Sequence, residues 1–150
     1  MRQILISTVL VTFAFVCCSA AKDESVDELK ARFEKASAED RAQLGVRIAH
    51  QQLRNADTLY NEGKIDQARD AVEDIVAYSE KARDAATQSK KHLKEVEIDA
   101  RKMAEKLRDI KRTLAFEDQR PVKEAIDRLE AIRTTLLDEM FAKDEKKGKK

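Results

Sequence analysis

The chain has 150 residues, of which 39% are charged and 5% aromatic, with no Trp, one Pro and three Gly. That is one domain's worth of chain, with too few breakers for a turn-rich β sandwich or barrel and no pair of glycines close enough for a phosphate-binding loop. Thirty basic residues stand against 29 acidic ones, so the chain lacks the positive field of a nucleic-acid binder.

The first twenty residues differ from the rest. Arg2 is their only charge, Ile4 to Val16 is an apolar run, and Cys18-Ser19-Ala20 follows. A basic start, a short apolar stretch and small residues before the cut read as a secretory signal peptide over 1–20, cleaved after Ala20 or Ala21. The run is short for a bilayer span, which needs about 20 apolar residues, so no transmembrane span is expected after cleavage. The second reading is a lipid anchor on Cys17 or Cys18. It fits less well: a lipidated Cys is preceded by Leu at −3 and a small residue at −1, whereas Cys18 has Phe15 and Cys17 there and Cys17 has Ala14 and Val16. If cleavage follows Ala20, both cysteines leave with the signal, and so does any disulfide or thiol chemistry.

A helical domain is expected over 21–142. Ser25-Val-Asp-Glu28 is a capping box opening a helix over about 25–36, and Ser37-Ala-Glu-Asp40 opens a second over 38–61. The second helix has a seam of Ala42, Val46, Ala49, Leu53, Ala56 and Tyr60, flanked by Leu44, Ile48 and Leu59. Gly63 supplies its left-handed terminus.

From Ile65 the apolar series runs through Ala68, Val72, Ile75, Ser79, Ala82, Ala86, Ser89, Leu93, Val96, Ala100, Met103, Leu107, Ile110 and Leu114 without a slip of phase. That pattern predicts one helix over 65–116 with a coiled-coil seam, about 78 Å long at the usual rise. Small residues make its middle weak. A break near Thr87-Gln88-Ser89 is the alternative, and it would give a four-helix bundle. Pro121 suits the first turn of a last helix over 121–142, with Val122, Ala125, Leu129, Ile132, Leu136 and Met140 as seam and Ile126 and Leu137 beside it. Residues 143–150 read as a basic disordered tail. Leu59, Ile65, Ala68, Val72 and Ile75 echo Phe116, Val122, Ala125, Leu129 and Ile132, which convergence on one type of helical corner explains. The expected fold is all-α: antiparallel hairpins sharing one long central helix.

The side chains point away from catalysis. His50 and His92 are the only histidines, and neither has the partners a zinc site needs. No Gly-x-Ser-x-Gly elbow is present, and adjacent acids such as Glu73 with Asp74 stay solvated on a charged helix. No catalytic residue, metal or cofactor is therefore expected. Lys90, Lys91, Lys94, Arg101, Arg108 and Arg112, with Lys102 and Lys111 among them, form a candidate anion-binding face. Glu97, Glu105 and Asp109 interrupt it, which favours an intrahelical salt-bridge surface. The aromatics Phe33, Tyr60, Tyr78, Phe116 and Phe141 are spaced like core or corner residues, not like a stacking platform.

Two resemblances bear on function. Ala56-x-x-x-Tyr60-x-x-Gly63-x-x-x-x-Ala68 resembles one corner of a tetratricopeptide repeat, but Lys94 and Glu97 stand where a 34-residue period would repeat Tyr60 and Gly63. Residues 90–141, with Leu114-Ala-Phe-Glu-Asp-Gln-Arg-Pro-Val, Arg128-Leu-Glu-Ala-Ile-Arg and Met140-Phe141, resemble small secreted bacterial proteins of unassigned function, which implies a helical envelope protein without an activity. The expectation is a non-enzymatic exported scaffold or protein-interaction module, periplasmic or secreted. Binding of an anionic envelope polymer or lipid through the basic face and Lys tail is the alternative. The widened apolar stripes (Leu44, Ile48, Ile126, Leu137) predict a protein partner or homo-oligomer.

Overall fold

The computed structural model describes residues 24–147, and the surroundings of side chains up to 142. The expected signal segment, with Cys17 and Cys18, lies outside the described residues. The fold is all-α, with α1 (Val26–Lys35), α2 (Ala38–Asn61), α3 (Ile65–Ser89), α4 (Leu93–Thr113), a 3-10 turn (Phe116–Asp118) and α5 (Gln119–Lys147).

Local chemistry sets most of these ends. Ser25 Oγ accepts from the Glu28 N–H at 3.3 Å while the Glu28 carboxylate accepts from the Ser25 N–H at 2.9 Å, completing the capping box. Ser37 Oγ accepts from the Asp40 N–H at 3.2 Å and starts α2. Gly63 has φ of 72°, and the Lys64 N–H closes back on the Leu59 carbonyl at 2.9 Å. No atom lies within 4 Å of where its Cβ would sit, so conformation, not space, calls for glycine there.

The continuous helix over 65–116 does not form. The chain leaves the helix after Ser89, and Lys90 and His92 take left-handed backbone at φ 57° and 61°. The alternative, a break near Ser89 that yields a four-helix bundle, is what the protein adopts. Left-handed backbone costs a non-glycine residue roughly 1–2 kcal/mol. Each large side chain fully buried contributes about 1.5–3 kcal/mol, so a few covered residues outweigh the corner. Ser89 eases the turn: its Oγ donates to the Ala85 carbonyl at 2.8 Å and accepts from the Lys91 N–H at 3.3 Å.

The bundle is two antiparallel hairpins, α2–α3 and α4–α5, stacked in parallel register. Gln43 meets His92, His50 meets Asp99, Arg69 meets Asp118 and Lys90 meets Glu139, each pair 49 residues apart in the chain. Thus α2 lies along α4 and α3 along α5, with equivalent heptad positions side by side. The helix α1 folds over the first hairpin, burying Leu29 and Phe33. Phe33 meets Tyr78 edge to face at 5.5 Å, a favourable geometry for two aromatic rings.

The small residues that weaken the middle of the apolar series are where the first hairpin closes most tightly. A Cβ on Gly45 would stand 2.8 Å from the Tyr78 carbonyl oxygen and 3.0 Å from the Ala82 Cβ. Ala42, Ala49, Ala82 and Ala86 are buried beside this contact. Leu44, Ile48 and Ile126 of the widened stripe that suggested self-association are also buried within the single chain, while Leu137 is half-buried. The last helix starts two residues before Pro121 and runs through Lys147. The first five residues of the expected tail are therefore helical, since no breaker precedes Gly148.

Two measurements check this architecture. With Cys17 and Cys18 replaced by Ser, spin labels at Asp70 and Glu105 should lie under about 30 Å apart, because both positions share one level of the bundle, whereas a continuous helix would hold them ~52 Å apart. Gly45→Val should lower the unfolding free energy by about 1–3 kcal/mol in urea titrations. An unchanged midpoint would mean that α2 and α3 do not approach this closely.

Candidate functional site

The residues of the expected anion-binding face are placed in three settings. Lys94, Arg101 and Arg108 follow one another along α4 at seven-residue spacing, and Lys94 and Arg101 are exposed. Lys90 and Lys91 lie in the corner before α4 and reach in different directions, Lys90 to Glu139 on α5 and Lys91 to Glu39 on α2, both at 2.6 Å. Arg108 pairs with Glu130 across the second hairpin, and Arg112 pairs with Asp109 at 3.0 Å. The bend in the backbone takes the first two lysines off the helix face, and acids occupy four of the six cations.

Arg108 belongs to the most enclosed charge network among the described residues. Arg133 donates to Glu97 at 2.9 Å and to Glu130 at 2.6 Å, and Glu97 is only 8% exposed. Burial pushes the Glu130 carboxyl upward, but hydrogen bonds from Arg108 and Arg133 outweigh it and hold the group below its ordinary 4.5. This is an interhelical tie between α4 and α5. His50 bridges to Asp99 at 3.1 Å. His92, instead of standing solvated on a helix, occupies the position before α4 without a side-chain capping bond and contacts Gln43 on α2. Among the described residues, no group of three or more His, Cys, Asp or Glu is placed to hold a metal ion, and no helix is long and apolar enough to cross a membrane.

Phe116 and Phe141 do not pack as core or corner residues: they are 88% and 65% exposed. Phe116 stands on the 3-10 turn between α4 and α5, beside a notch of about 380 Å³ lined by Lys111, Gln119, Arg120 and Lys123 together with Glu117. Its echo partner Leu59 packs against the core, so the two corners are not equivalent. The signal for its exposure was already present, since Phe116 falls two residues past Leu114 and out of the seam's phase. No family model matches the chain, and no curated protein or solved structure is significantly similar to it.

The depressed Glu130 carboxyl gives a signed pH dependence. Its contribution to stability is present above pH 4.5 and disappears as pH falls through the lower folded value. Wild type should exceed Glu130→Gln by up to about 1 kcal/mol at pH 7, given the partial exposure of the pair. The gap should close as pH falls below 4.5 and the carboxyl takes up its proton. A gap that stays constant over that fall in urea titrations would show that the carboxylate charge does not stabilise the bundle.

Proposed function

We propose that this protein is a non-enzymatic, exported helical module of the cell envelope that works by docking a protein partner at the corner between α4 and α5. Export rests on the basic start, bounded apolar run and small residues of the first twenty positions. The observation that carries the docking reading is Phe116, 88% exposed beside a cation-lined notch. An aromatic side chain ringed by polar groups can serve as the anchor of an interface when a partner covers it.

Charge selects the kind of partner. Lys111, Arg120 and Lys123 line the notch with a single acid, Glu117. Arg120 and Lys123 are held only by Glu124 and Asp127 one turn along the same helix, exposed pairs worth about 0.3–0.5 kcal/mol each. They can turn to a partner at little cost. The complementary surface presents an apolar side chain flanked by acids.

A photocrosslinking amino acid at position 116, in cells that produce the protein, should yield one discrete protein adduct. The adduct should vanish when Lys111, Arg120 and Lys123 are changed to Glu, and the same probe at exposed Arg101 should give none. Phe116→Ala should leave stability within about 0.5 kcal/mol of wild type, as expected for an exposed site. No adduct at 116, or equal labelling at 116 and 101, overturns the reading.

A further inference from the structure

A second, independent surface lies on the first hairpin. Where α1 crosses α2, a cavity of about 410 Å³ is lined by Arg32, Lys35, Gln43, Leu44 and Arg47. A neighbouring one of about 470 Å³ is lined by Leu29, Arg47, His50, Gln51 and Arg54. Arg47 lines both, so the two adjoin at its side chain, with Arg32 and Lys35 in the wall of the first and Arg54 in the wall of the second; together they are called the α1–α2 cleft. Leu29 and Leu44 are themselves buried and give the cleft an apolar floor.

The cleft already holds a carboxylate. Glu24, the residue before the α1 cap, receives the Arg32 guanidinium on both oxygens at 2.8 and 2.6 Å. Arg47 approaches the same carboxylate at 3.5 Å. Both contacts come from the one nitrogen, Nη1, so the carboxylate is held by a shared charge-assisted donor on a half-exposed arginine and not by the stronger two-nitrogen fork. The occupant here is a peptide side chain on a segment that lies outside every helix. The other acid of the cleft, Asp40, accepts from the Ser37 hydroxyl at 2.7 Å. Lys35 and Arg54 enter no ion pair among the described residues, so cationic stations remain on both sides of the Glu24 seat.

We propose that the α1–α2 cleft is a receptor for an acidic peptide segment of another protein, and that Glu24 is its resident occupant, displaced when that segment binds. The order of events follows from the geometry. Ser25 and Glu28 cap α1 through their own hydrogen bonds, so the Glu24 side chain can leave without unfolding the helix. The incoming carboxylates take Arg32 and Arg47, and the flanking acids reach Lys35 and Arg54. Because Glu24 competes at a high local concentration, the cleft is held partly closed against weak or monovalent anions.

The test uses the intact protein and fluorescein-labelled hexaglutamate, read by anisotropy at low salt. Glu24→Gln should tighten binding about threefold or more, because the competing occupant is gone. Arg32→Gln and Arg47→Gln should each weaken it about three- to tenfold, the range for a partly exposed charge pair. Lys94→Gln and Arg101→Gln, which remove exposed cations elsewhere, should leave it unchanged. Circular dichroism and urea midpoints verify that each variant is folded. The proposal is overturned if Glu24→Gln binds no tighter than wild type, or if the Lys94 and Arg101 variants lose as much as the cleft variants. A sulfated oligosaccharide that binds in the cleft when hexaglutamate does not would overturn the peptide as ligand.

Discussion

Lys90 and His92 hold left-handed backbone without being glycines, and the rest of the bundle depends on that corner. It turns the chain back so that α4 runs beside α2 and α5 beside α3. The cost is local and small, roughly 1–2 kcal/mol for each left-handed residue. The return is distributed over many side chains, since stacking the hairpins removes a second face of each from water. A corner that no isolated segment would choose is thus imposed by contacts far from it in sequence. Ser89, bonded both to its own helix and to the Lys91 N–H, makes the local conformation easier to reach.

The register of the stack has its own logic. Pairs such as His50 with Asp99 and Arg69 with Asp118 join positions 49 residues apart, a whole number of heptads, so seam meets seam and polar edge meets polar edge. Such exposed or half-exposed pairs contribute little energy each. Their part is to favour this alignment over slipped ones, in which the pairs are lost. Within the first hairpin, the Gly45–Ala82 contact acts differently. Glycine inside a helix is unfavourable by about 1 kcal/mol relative to alanine, and it is tolerated here because the Tyr78 carbonyl occupies the space a side chain would need.

Leu44, Ile48 and Ile126 of the stripe that suggested oligomerisation are buried inside one chain, and three of the six cations that suggested an anion-binding face, Lys90, Lys91 and Arg108, are engaged by acids of neighbouring helices. What remains distinctive is an exposed Phe116 at one corner and the arginine-lined cleft beneath Glu24 on the first hairpin. Both combine an apolar element with cations that are only lightly held, a combination suited to recognising acidic and apolar groups on another protein. The two surfaces sit on different hairpins and can be engaged independently.

Periodicity, caps and turn residues determined a great deal unaided. The all-α class, the capping box at Ser25, the limits of α2 and the left-handed Gly63 were all legible, because each depends on residues within one or two turns of helix. Nearly every seam residue is buried as its spacing requires. The same periodicity misled at Ser89, since an unbroken apolar phase is compatible both with a straight helix and with a helix that folds back in register. The cleft was invisible for a related reason: Arg32 and Arg47 lie on separate helices, and neither helix alone carries a basic run. Local sequence thus settled which segments are helical and which faces are apolar. Where the long segment bends, and which distant cations share a carboxylate, were decided by the tertiary structure, because burial across the stacked hairpins outweighs the helix propensity of the three residues at the corner.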